Sequence, residues 1–126
     1  KPALAKGRFI LCDRFELSTF AYQGGGRGLP IAVIQNLSQF CLGDFKPDMT
    51  FFLDIDLPTA LARVNARGHL DRMEVEPLSF FEATEKAYYK HMENYPNLIK
   101  IDARRPIAEV QAQLKVGLSR LLSSSV

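Results

Sequence analysis

The sequence predicts an α/β domain with a parallel sheet and flanking helices. Three observations carry that expectation. Short apolar runs alternate with stretches of helical periodicity along the chain. The first run, Phe9 to Cys12, is continuously apolar rather than alternating, as strands buried on both faces are. Each run ends in acid, at Cys12-Asp13, Leu53-Asp54 and Ile101-Asp102, and in open α/β folds the carboxyl ends of strands border the ligand crevice.

In chain order, Lys1 to Gly7 reads as the last turn of a helix, with Gly7 as its stop. This opening is expected to be a cut through a larger domain. Phe9-Ile10-Leu11-Cys12 is the first predicted strand, buried on both faces. Glu16 to Gln23 reads as a short helix, and Gly24 to Gly28 as a turn needing backbone freedom. Pro30 opens the next helix, with Val33, Ile34, Leu37, Phe40 and Cys41 at helical spacing. Gly43-Asp44 and Lys46-Pro47-Asp48 end it.

Thr50 to Ile55 is the second strand. A helix begins at Pro58, with Leu57, Ala60, Leu61 and Val64 on one side. It runs into Ala66 to Glu74, a charged segment with little to bury. Pro77 starts a helix to about Asn94, with Phe81, Tyr88 and Met92 on one side. Leu98 to Ile101 is the third strand. Pro106 starts the last helix, with Ile107, Val110, Leu114, Leu118 and Leu121 toward the sheet and a frayed tail from Ser123. Three strands are few for such a sheet, which usually has about five or six. Part of it is expected to be missing from these residues.

Composition sets outer bounds. The 126 residues suit one domain, spanning 1–126, and a net charge of +2 is too small to argue for nucleic acid or a membrane surface. The two cysteines read as small core residues in a reducing compartment. No run approaches a membrane span and no leader is visible, so the cytoplasm is the expected location. His69 and His91 have no metal-ligand partner at sensible spacing and read as surface residues.

Several residues could carry chemistry. Asp13 at a strand end can hold Mg²⁺ or its water, and Arg14 offers a fork of donors suited to phosphate. A pair of strand-end solubilising charges explains them equally well. Arg63, Arg67 and Arg72 bring positive charge that phosphoryl transfer uses, although such a run also suits a solvated helix face. Gly24-Gly25-Gly26-Arg27-Gly28 lacks the Lys-Ser/Thr of a phosphate loop and follows a helix, not a strand. Ser18 and Thr19 fit a helix cap, and Tyr22 a half-buried packing aromatic.

Asp13-Arg14-Phe15, with Leu17-Ser18-Thr19, Ala21-Tyr22-Gln23-Gly24 and the glycines that follow, resembles the thymidylate kinase family in its bacterial form. Leu61 to Gly68 with Leu70 to Glu74 is similar to that family's lid, here about residues 63–77. The resemblance covers nearly all of the chain. It implies a P-loop NTPase fold of the nucleoside monophosphate kinase type, whose phosphate loop lies in roughly the first two fifths of a family member, outside these residues.

The resemblance further implies transfer from ATP to dTMP, giving ADP and dTDP, with Mg²⁺ as cofactor. Carried over residue by residue, Arg14 would hold the 5′-phosphate, and Ser18 and Thr19 would meet the base. Tyr22 would lie beside the deoxyribose, with Gln23 nearby. Asp13 would hold Mg²⁺ through water. Arg67 and Arg72 would clamp the ATP phosphates, as the catalytic arginines, with Arg63 nearer the adenine. Asn65 departs from the pattern, where close relatives often carry another arginine. Asp102, Ala103 and Arg104 lie where the adenine loop would be, and an ordinary turn explains them equally well.

A homodimer is implied, with the helix from Ile31 to Gly43 as the candidate surface. A different reading is a fragment or degenerate partner without kinase activity of its own, with an exposed sheet edge. Deoxynucleoside kinases carry a Glu-Arg-Ser type signature and adenylate-type kinases lack Ala21 to Gly24, which argues against both.

Overall fold

A computed structural model describes residues 1–68 and 76–124. Its sheet forms where the apolar runs find each other. β1 (Thr50–Asp54) and β2 (Leu98–Asp102) pair in parallel, from Thr50 opposite Leu98 to Asp54 opposite Asp102. Parallel strands need a long crossover. Here α4 (Leu57–Arg67) and α5 (Leu78–Met92) lie between them in sequence. The remaining elements are α1 (Pro2–Ala5), α2 (Glu16–Thr19), a π-helix (Phe20–Gly26), α3 (Ile31–Leu42) and α6 (Ile107–Ser124).

Local chemistry explains most of the element ends. Asp56 caps α4, accepting from the Thr59 backbone N–H at 3.0 Å and from its hydroxyl at 2.7 Å. These bonds from Thr59 hold the Asp56 carboxyl below its usual pKa. Gly68 closes α4 at φ 73°, a left-handed conformation that glycine adopts without strain. Gly117, inside α6, is buried because the helix presses on the sheet. A Cβ there would meet Phe51 Cε1 at 2.6 Å.

The core sits where the π-helix lies against α5. Ala21 from one side and Phe80, Ala87 and Met92 from the other are buried, with Leu17 and Ile34 at the margins. Gly25 and Gly26 make that approach possible. A Cβ on Gly25 would stand 2.4 Å from Ala87 Cβ, and one on Gly26 2.4 Å from Phe80 Cε2. The glycines expected to form a turn therefore serve chiefly as a packing surface inside a wide helix. Only Gly28, just beyond it, takes a positive φ within 24–28.

Four further expectations are corrected. Phe9 to Cys12 forms no strand, and Phe9, Ile10 and Leu11 are exposed by 64%, 47% and 90%. A strand needs a neighbour to complete its hydrogen bonds, and among the described residues only β1 and β2 make a sheet. Cys12 and Cys41 are exposed, not core. Helix α3 meets the π-helix through Ile31 and Ile34 against Gly24, and Cys41 lies two turns beyond that contact. Ile107 is exposed at the start of α6. The tail is helical through Ser124, with the Ser123 and Ser124 hydroxyls donating to the carbonyls of Ser119 and Leu121.

Candidate functional site

Arg14 occupies a bend at φ 62°, a backbone region that non-glycine residues rarely enter and that recurs at binding and catalytic sites. The Cys12 thiol donates to the Arg14 carbonyl at 3.2 Å. Beyond Arg14, Phe15 is extended and α2 begins at Glu16. This geometry brings the Arg14 guanidinium over the ring of Tyr22, 5.5 Å from its centroid.

Ser18 and Tyr22, four residues apart, share one side of the helical stretch, and both reach Tyr88 of α5. The Ser18 and Tyr88 hydroxyls are 2.8 Å apart, and the rings of Tyr22 and Tyr88 meet edge to face at 5.8 Å. Burial pushes the Tyr88 phenol up, opposed by its hydrogen bond with Ser18 and by the Arg14 charge. A cation, two hydroxyls and two aromatic faces thus converge. Such a group suits a ligand with an anionic end and a flat ring.

The other expected acceptor-side residues lie around this cluster. Thr19 and Gln23 are exposed, and the Gln23 carbonyl accepts from Leu29 N–H at 2.9 Å. Asp13 is an exposed carboxylate in the same bend as Arg14. Mg²⁺ keeps several waters and needs only one or two protein carboxylates when phosphates supply the rest, so a single oxygen donor here fits water-mediated binding.

Of the lid-side arginines, Arg63 reaches a different part of the chain. Arg63 donates to the carbonyls of Ala103 at 2.8 Å and Arg104 at 3.4 Å, pinning the turn after β2. Asp102 pairs with Arg104 at 3.1 Å, and that bond lowers the Asp102 pKa. Arg67 is exposed at the end of α4. Arg72 and His69 lie outside the described residues, as does the middle of the expected lid, residues 69–75. His91 is corrected from surface to half-buried. Its ring lies 5.0 Å from that of Phe20, and burial lowers its pKa.

Sequence reasoning missed Glu16. Its carboxylate is buried, and it accepts from Ser38 Oγ at 2.6 Å, from Lys46 Nζ, and from Tyr95 at 3.1 Å. Burial alone would raise its pKa, but hydrogen bonds from Lys46, Ser38 and Tyr95 together hold it below the usual value. Tyr95 is pushed up, by burial and by that carboxylate. The partners lie 22, 30 and 79 residues away. The local signal, an acid in the first turn of a helix, gives no hint of them.

Fold and cluster together define an α/β chain with a phosphate-suited arginine beside an aromatic-lined helix. The family model for thymidylate kinase matches residues 1–114. The chain is 47% identical over 126 residues to a thymidylate kinase of Pseudomonas fluorescens, covering 99% of this chain and 60% of that protein. It is 45% identical to one of Legionella pneumophila, covering all of this chain and 59% of that one. A thymidylate kinase of Baumannia cicadellinicola is 46% identical over 125 residues, 98% of this chain and 59% of that protein. The chain belongs to the thymidylate kinase family. It spans about 60% of the length of the curated relatives it matches.

Proposed function

We propose that this chain carries the acceptor side of a thymidylate kinase that moves the γ-phosphoryl group of ATP to dTMP, giving dTDP and ADP. One observation carries the reading: in a member of this family, Arg14, Ser18, Tyr22 and Tyr88 meet in one cluster. An oxygen of the dTMP phosphate attacks the γ-phosphorus, and the bond to the β–γ bridging oxygen breaks as ADP leaves. Arg14 fixes the attacking phosphate, Ser18 and Thr19 meet the base, and Tyr22 with Gln23 borders the sugar. The work is positioning and charge neutralisation. Mg²⁺, when bound, would neutralise charge on the phosphates, and Asp13 would hold it through a water.

Arg67 and Arg72 clamp the ATP phosphates from a lid over about residues 63–77, part of one domain across 1–126. Arg63 acts one step away, by fixing the Ala103-Arg104 turn that would border the adenine. The sheet and helices belong to a P-loop NTPase fold of the nucleoside monophosphate kinase type. Val33, Leu37 and Phe40, exposed along α3, form the surface of a homodimer. Among the described residues no helix is long and apolar enough to cross a membrane, and the reading places the protein in the cytoplasm.

The test is competition binding on the longest natural polypeptide carrying this sequence. dTMP should outcompete dCMP and AMP, it should also bind more tightly than thymidine, and Arg14→Met should abolish most of that second preference. Equal binding of the three monophosphates would overturn the reading. A second reading, that residues 1–126 do not transfer phosphate by themselves, has one observation behind it. No G-x-x-x-x-G-K-[ST] run occurs in the sequence. ADP formation from ATP and dTMP by these residues alone would exclude it.

A further inference from the structure

We infer that Glu16 is a positioning residue for the acceptor site, holding Arg14 in the strained backbone that aims its guanidinium. The inference rests on the reading of Arg14 as the phosphate-holding group, and deepens it. Arg14 sits at φ 62°, and a non-glycine residue stays there only when its surroundings enforce it. On one side the Cys12 thiol meets the Arg14 carbonyl. On the other, the next two residues are strapped to one distant segment. The Phe15 ring packs edge to face on Phe45 at 6.3 Å, and the Glu16 carboxylate pairs with Lys46. Two successive residues thus grip two successive residues, an apolar pair beside an ion pair, and this fixes the direction in which the chain leaves Arg14.

Two more partners remove the remaining freedom. Ser38 comes from α3, and Tyr95 from just beyond α5. The Lys46 ammonium also lies 5.8 Å from the Tyr95 ring centroid, closing a triangle with Glu16. The side chain of Glu16 is only 4% exposed. Its partner Lys46 reaches it from the surface, with a side chain 46% exposed, so the pair adds modest net stability and its use here is to fix one geometry. This one stands at the first residue of the helix that carries Ser18, two positions from Arg14.

The test compares dTMP with thymidine, which lacks the phosphate that Arg14 would hold. In the longest natural polypeptide carrying this sequence, Glu16→Gln should weaken dTMP about tenfold, the scale of one charge-assisted contact. Thymidine binding should change by less than about twofold, well under the cost of a hydrogen bond. Equal weakening of both ligands, or of neither, would overturn the inference. Should Glu16→Gln fail to fold, Lys46→Met and Ser38→Ala each remove one partner and are read by the same ratio. Arg14→Met separates the two claims. If it leaves the dTMP-to-thymidine ratio intact, the pocket reading falls and the inference with it. If it collapses the ratio while the Glu16, Lys46 and Ser38 variants do not, only the positioning role falls.

Discussion

The seam between the π-helix and α5 and the apolar run at 9–12 invert the expected relation between hydrophobicity and burial. Gly24-Gly25-Gly26 has almost no apolar surface of its own, yet its neighbours Ala21, Phe80 and Ala87 are buried. Phe9-Ile10-Leu11 is intrinsically far more hydrophobic and remains largely exposed. Burial follows from having a complementary surface at hand, not from the hydrophobicity of the segment. The acceptor cluster stands on the seam, so its geometry inherits that packing.

The largest test of this contrast is Gly25→Ala. The new methyl would stand 2.4 Å from Ala87 Cβ and 2.7 Å from the Ala83 carbonyl oxygen, so backbone must move. We expect a loss of about 3 kcal/mol, at the upper end for overpacking, measured by urea unfolding. An unchanged midpoint would show that the two helices are not tightly docked.

Next in size is Glu16→Gln, at about 1–2 kcal/mol for lost charge-assisted hydrogen bonds. Its signature is acid dependence. Because the folded pKa of Glu16 lies below its usual 4.5, the unfolded chain binds more protons as pH falls. The stabilisation is complete above that usual value and is lost as pH drops through the lowered folded one. Unfolding midpoints from about pH 7 to about pH 3 should therefore fall less steeply in the glutamine variant. Parallel curves would mean that Glu16 titrates as if exposed.

Tyr88→Phe removes the hydroxyl that meets Ser18 and should cost about 1 kcal/mol. Paired with Ser18→Ala, the double variant should lose little more than either single one, a coupling that a double-mutant cycle measures. At the other extreme, Leu11→Ser should shift the midpoint by less than about 0.5 kcal/mol while reducing self-association seen by light scattering. A large loss there would mean that the run is covered in solution.

What the sequence made legible follows from range. β1, β2, α3, α4 and α5 were readable because each announces itself locally, through an apolar run, apolar periodicity or a Pro start, whereas the Asp56 cap of α4 came only from the structure. Arg14, Ser18 and Tyr22 were readable as one group only through resemblance, and Tyr88, 70 residues from Ser18, joined them only in three dimensions. Glu16 was silent for the same reason. The strand at 9–12 was misplaced because hydrophobicity records what a segment prefers and says nothing of whether a neighbouring strand is there to pair with it. The glycines misled because the need for a small side chain and the need for a positive φ write the same letter.

The wide helix at Phe20–Gly26 also has a rotational consequence. Its hydrogen bonds close five residues apart rather than four, which delays the turn of the chain relative to an ordinary helix. Removing one residue while the wide spacing is kept would swing everything before it against everything after, by somewhat less than the ~100° per residue of an α-helix. Ser18 would then turn away from Tyr88 even as Gly25 kept its seat on α5. The phase angle between the acceptor cluster and its supporting seam is thus written in the number of residues between them, a property that no single side chain carries.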